Sequence, residues 1–275
     1  MTHSASAIKT RHGFTLLELS IALGIIGLLV GGIVGFRGYV KNAAVSTMMN
    51  ESKLLISAFQ QFQIQYNNPP GDYCSTDTVC GTQASPTANN AWSGASNGDS
   101  NGLIRAGGTA FQLEQYYAFQ HLAFAGFIQG RYTGAANGTG GATIGTNIQG
   151  SSMDKVAFIF DHPDETSGFV VNATTPNATY FDGQYGNILR IAGLNDNATT
   201  VPDQVFLTGD QALAIDLKYD DGMPGTGTIV TPKSSALSGC ASNDKPILNS
   251  PTAATAAATY VTTTEAKTCY LFVRM

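Results

Sequence analysis

Charge is what this chain has least of. Only 12% of its 275 residues are Asp, Glu, Lys or Arg, and the formal balance is −5. A basic stripe for nucleic acid is therefore excluded, and nucleic acid is not an expected partner. Histidine is scarcer still: after residue 13 only His121 and His162 remain. His121 falls among aromatics in a helical pattern, and His162-Pro-Asp-Glu reads as a turn after a strand. No nucleophile elbow, phosphate loop or metal triad occurs. The chain is not expected to be an enzyme.

Between Phe14 and Phe36 there is no Lys, Arg, Asp or Pro. As a helix this run would reach about 34 Å, enough to cross a hydrocarbon core of about 30 Å. Lys9 and Arg11 precede it, and Arg37 and Lys41 follow. The flanks alone orient it weakly, but the short leading tail favours a cytoplasmic N-terminus. The single ionisable side chain inside is Glu18. A secretory signal fits poorly, because the run is too long, holds an acid and lacks a small-x-small cleavage site. A plain anchor explains the hydrophobicity but not Glu18. A carboxylate at that depth needs a proton or a neighbouring cation.

Gly13-Phe14-Thr15-Leu16-Leu17-Glu18 resembles the processing site of type IV pilins and of the pseudopilins of type II secretion. The resemblance covers the leader and about the first 55 residues after it. It implies that a prepilin peptidase/N-methyltransferase cuts after Gly13 and methylates the new N-terminus of Phe14. It also implies that Glu18 neutralises the N-terminal amine of a neighbouring subunit, which is the cation the buried acid requires. Cleavage and the Glu18 pairing are thus linked. The implied partners are homologous subunits and an inner-membrane assembly platform. The implied location is the bacterial inner membrane, then a periplasmic or cell-surface filament.

Gly27, Gly31 and Gly35 repeat at four-residue spacing, which lets helix backbones approach closely in lipid or in a filament core. Beyond Arg37, Val40, Ala44, Met48, Leu55, Phe59, Phe62 and Tyr66 form one apolar stripe of helical period. Lys41, Asn50, Lys53, Gln60 and Gln63 lie opposite. The helix is expected to run to about Tyr66, where Pro69-Pro70-Gly71 forbids continuation. The expected organisation is a leader over 1–13, a membrane or filament-core helix over 14–36, an amphipathic continuation over 37–66 and a head over 67–275.

Within the head, 110–125 reads as a second helix ended by Gly126. Runs at 156–160, 169–171, 188–191, 213–217, 227–230 and 270–273 read as strands. Stretches 85–108 and 133–151 read as long loops. Together these give an α+β fold: a long N-terminal helix packed on an antiparallel sheet, the arrangement the resemblance also implies. Asn-x-Thr sequons at Asn137, Asn172, Asn177 and Asn197 reflect composition.

All four cysteines lie after the apolar run, so an oxidising compartment is expected. Of three pairings, sequence proximity favours Cys74–Cys80 and Cys240–Cys269. A zinc site lacks both a Cys-x-x-Cys pair and a nearby histidine. Asn97-Gly-Asp99-Ser-Asn101-Gly102 resembles the first half of a calcium loop. Its twelfth position is Gly108, not Glu, so Glu114 would have to supply the missing carboxylate. Calcium is accordingly a candidate cofactor on Asn97, Asp99, Asn101 and Glu114. In the cluster Asp216 to Gly227, Asp220 and Asp221 are expected to cap a turn, with Gly222 at positive φ.

The resulting expectation is a structural subunit, minor or specialised given its large head, of a type IV pilus. A type II secretion pseudopilin is one alternative. A membrane-anchored binding protein that never polymerises is another.

Overall fold

A computed structural model describes residues 15–74, 98–104, 114–135, 141–163, 181, 185–194, 201–232, 239–242 and 258–275, with the backbone alone for 32–42. The chain divides into two units, Met1–Ser46 and Thr47–Met275.

Helix α1 runs from Leu16 to Tyr66 without a break. It stops where Asn67 takes a left-handed φ of 53°, the conformation a helix C-terminus favours, just ahead of Pro69-Pro70. In the first unit the side chains of α1 from Leu16 to Gly31 are exposed on every side of the helix. Among the described residues no helix is long and apolar enough to cross a membrane.

In the second unit the apolar stripe of α1 is buried: Met48, Leu55, Phe59 and Phe62 are inside, while Asn50, Lys53, Gln60 and Gln63 are exposed. Phe59 packs 5.2 Å from the ring of Phe160, and Phe62 stacks on His121 at 6.0 Å. Each such burial stabilises by about 1.5–3 kcal/mol. Glu51 adds a polar tie, accepting from Ser151 Oγ at 3.1 Å and from the Ser152 amide at 3.0 Å.

Helix α2 spans Glu114–Phe124, and residues 110–113 of the expected helix lie outside the described residues. Gly126 ends it at φ 77°. The Phe127 amide donates to the Leu122 carbonyl and the Gly126 amide to that of Ala123, the paired bonds of a Schellman turn. Phe119 reaches the same Phe160 ring at 5.2 Å, so α1 and α2 share one face of the sheet.

The sheet holds β1 (Gln149–Gly150), β2 (Val156–Asp161), β3 (Ile188–Gly193), β4 (Ile229–Val230) and β5 (Leu271–Arg274). Its order is β1-β2-β3-β5-β4, antiparallel throughout. Every residue of β2 and β3 is buried, so both faces are covered. That explains their continuous apolar runs in place of alternation. Asp161 follows Phe160 and therefore points to the other face. There it pairs with Arg190, whose guanidinium lies 5.6 Å from the centre of the Phe272 ring.

Four expectations need correction or fall outside. Residues 213–217 are not a strand but part of helix α3, Gly209–Tyr219. Thr208 and Gln211 form a reciprocal capping box that starts it. The alternation Ala-Leu-Ala-Ile mimics a strand, yet the buried positions, Gly209, Ala212, Ile215 and Asp216, have helical spacing. The expected loop 133–151 contains β1. Buried Asn147 orders this region by accepting from the Thr143 amide and donating to the carbonyls of Ala135 and Gly141. The strand expected at 227–230 shortens to Ile229–Val230, because the amides of Thr228 and Ile229 bond to Asp220. The strand expected at 169–171 lies outside the described residues.

Cys240 and Cys269 are joined, with Cα atoms 4.9 Å apart across 29 residues of sequence. The bond ties residues 239–242 to the segment leading into β5. Cys74 is also disulfide-bonded; Cys80, its expected partner, lies outside the described residues.

Candidate functional site

The start of α1 is built by two residues. The Thr15 amide and hydroxyl both donate to Glu18 Oε2 at 2.9 Å, and the Glu18 amide donates back to Thr15 Oγ1 at 3.3 Å. This is a capping box, read directly from Thr-x-x-Glu, which the sequence reading passed over. The carboxylate enters these bonds through Oε2 alone, which accepts twice, and the Thr15 hydroxyl takes part in two of them. Oε1 has no partner among the described residues. The carboxylate can therefore hold the helix start and face a cation at once.

Downstream, ten large apolar side chains from Leu16 to Val30 are exposed. A Cβ at Gly24, Gly27 or Gly31 would meet nothing within 4 Å. Gly35 lies in the same helix, in the stretch described by its backbone. A helix apolar all round needs an apolar environment or other helices about it. Gly13 and Phe14 lie outside the described residues.

A second cluster gathers in the head. Asp72, Asp99 and Glu114 bring carboxylate oxygens within 4.8 Å of one another. Asp72 follows the end of α1 and Glu114 opens α2, so the two helices fix two of the three acids. Gly71 makes the turn between them at φ 97°, where a Cβ would collide with the Glu114 carbonyl. Its amide donates to His121 Nδ1 at 2.9 Å, which fixes that buried ring as an acceptor there. Asp72 receives the amides of Asn101 at 3.0 Å and Gly102 at 2.7 Å, and Glu114 receives that of Asp99 at 3.2 Å. Burial, reinforced by the Asp99 side chain, pushes the Asp72 carboxyl up to about 7, against the pull of the two amides. A cation beside Asp72 would favour its charged form against that burial.

The expected ligand set changes accordingly. Asp99 and Glu114 lie together, although Glu114 falls outside the loop motif itself. The Asn101 amide group instead donates to Asp99 Oδ2, while its oxygen accepts from Leu103. Asn97 lies outside the described residues. Asp72 was missed because it sits 27 positions before Asp99, beyond any local motif. Asn187 anchors the loop to the sheet: its Oδ1 accepts from the Ile104 amide and its Nδ2 donates to the Gly102 carbonyl.

Asp216, Asp220 and Asp221 form the other acidic group. Its carboxylates accept hydrogen bonds from the turn and from Tyr260. Asp220 accepts from Thr228 and Ile229, Asp221 from Met223 and the Thr226 hydroxyl, and Asp216 from Gly222 and the Tyr260 hydroxyl. Gly222 takes φ 78°. These bonds give the group a structural use, as the turn chemistry implied.

Residues 8–34 match the prokaryotic N-terminal methylation motif. No curated protein and no solved structure matches the chain.

Proposed function

Residues 8–34 carry the signature of type IV pilins and pseudopilins, and from that premise we propose that the chain is a structural subunit of a type IV pilus. The leader is removed after Gly13 and Phe14 is methylated. The subunit is held in the inner membrane by α1 with its N-terminus in the cytoplasm. It then polymerises through the apolar surface of α1, where Gly27, Gly31 and Gly35 admit close helix neighbours. The observation that carries this reading is Glu18 at the helix start. One of its oxygens is engaged in the cap and the other is open, inside a surface with no other described charge down to Gly31. The open oxygen would take the methylated amine of the next subunit.

The reading is tested by shearing cells that carry a tagged chain. Wild type is expected in the sheared filaments, and Gly13→Asp, which blocks cleavage, is expected to leave all of it in the membrane. Absence of wild type from sheared filaments, together with lost protein export on deletion, would favour a secretion pseudopilin. Full function in the Gly13→Asp strain would favour a binding protein that stays anchored and never polymerises.

Convergence of Asp72, Asp99 and Glu114 supports a second element of the proposal, a calcium ion held by these three acids. A hard-oxygen set with clustered negative charge fits that cation. Its role would be to neutralise the carboxylates and tie the 98–104 loop to the ends of α1 and α2.

A further inference from the structure

A cleft of about 320 Å³ opens beside the last turns of α2, between Gln120, Ala123 and Phe124 on one side and Gly130–Thr133 on the other. It belongs to neither cluster described above. Its size is at the small end of the roughly 300–1,000 Å³ of ligand pockets, which admits a compact molecule and not a folded partner.

The side chains at its mouth are unusual for this protein. Phe124 is 45% exposed, the one aromatic among the described residues that exposed. Arg131 is exposed too. The head's other described arginines are occupied: Arg190 pairs with Asp161, and Arg274 donates to the Gly227 carbonyl. Arg131 has no hydrogen-bond or ion-pair partner among the described residues. In a chain of net charge −5 that leaves an open guanidinium where anions are otherwise repelled.

The wall behind these groups is fixed. Tyr132 packs on Phe119 at 5.6 Å. Gly130 lets the same ring lie against the backbone, since a Cβ there would approach Cε2 to 3.0 Å. Burial raises the Tyr132 phenol, so it stays an O–H donor. Its hydroxyl also has no partner among the described residues. Gln120 is locked by donating from Nε2 to the Thr133 carbonyl at 3.0 Å.

We propose that this cleft binds acidic sugars, with Arg131 taking the carboxylate, Tyr132 a ring hydroxyl and Phe124 the apolar face of the ring. A guanidinium recognises a carboxylate through two parallel hydrogen bonds. An aromatic face beside several polar donors suits a ring that is apolar on one face and hydroxylated at its edge. A purely apolar ligand would leave Arg131 and Tyr132 unmatched. A simple carboxylate would not use the depth of the cleft.

The site goes beyond the filament role and is tested independently of it. The full processed chain in detergent micelles is titrated with digalacturonate, and binding is followed by calorimetry. Saturable binding is expected, weakened about tenfold or more by Arg131→Gln, as loss of a charge-assisted pair implies. Phe124→Ala should weaken it as well, with both variants melting at the wild-type temperature. Lactose, which lacks the carboxylate, should bind at least about tenfold more weakly on the same grounds. The proposal is overturned by an absence of saturable binding, by equal affinity in Arg131→Gln, or by benzoate binding as tightly as the sugar acid.

Discussion

Glu18 is asked to do two things, and one substitution separates them. Glu18→Gln keeps an oxygen for the Thr15 amide and hydroxyl but removes the charge. If assembly depends on charge pairing, the variant is processed normally and missing from sheared filaments. Wild-type filament yield in Glu18→Gln would mean that the residue matters only as a helix cap. Asp216 offers a residue-scale test within the head. Burial pushes its carboxyl up to about 6, with the Tyr260 hydroxyl and Gly222 amide pulling the other way. The native state thus favours the neutral form. That contribution is fullest below the unfolded value near 4 and is lost as pH rises toward about 6. The wild-type melting temperature should therefore fall relative to Asp216→Asn between those limits. A difference constant across the range would count against it. At this scale the sequence reading found Glu18 through its cost in an apolar run. It missed Asp72, because nothing local distinguishes an acid after Pro-Pro-Gly from any other turn residue.

Elements were legible where a periodic pattern met a strong stop. The stripe through Met48, Leu55, Phe59 and Phe62 gave α1 its buried face, and Asn67-Asn-Pro-Pro its end. Gly126 likewise marked the end of α2. Helix α3 was misread because four small and apolar residues alternate on a surface where burial follows a different period. The decisive signal was Thr208-x-x-Gln211, a cap that outweighs a short run of alternation. Thr208→Ala is expected to cost about 1 kcal/mol, which lowers the melting temperature by roughly 2–4 °C for a chain this size. Calorimetry gives the value directly, and an unchanged melting temperature would show that packing alone sets the helix. The two-residue strand β1 carries no pattern at all. It forms because Asn147 orders the turn before it and β2 supplies an edge.

For the molecule as a whole, the α+β class followed from one long helix and several apolar runs. The strand order did not, since β5 enters between β3 and β4 from the far end of the chain. The calcium reading is tested at this scale. Calcium should raise the melting temperature of wild type over that in chelator, and Asp72→Asn should abolish most of the difference. Equal wild-type values with and without calcium would remove the ion from the proposal while leaving the filament role intact.

The reciprocal bonds at the start of α1 have a bearing on maturation itself. The donor that Glu18 engages is the Thr15 amide, which joins Phe14 to Thr15 and so lies downstream of the bond after Gly13. Removing the leader breaks none of those three bonds. If a peptidase cuts there, the helix that leaves it keeps the same three bonds. Proteolysis after Gly13 would then create a new positive terminus at Phe14, four residues ahead of a carboxylate already held by Thr15, with no refolding step between cutting and docking.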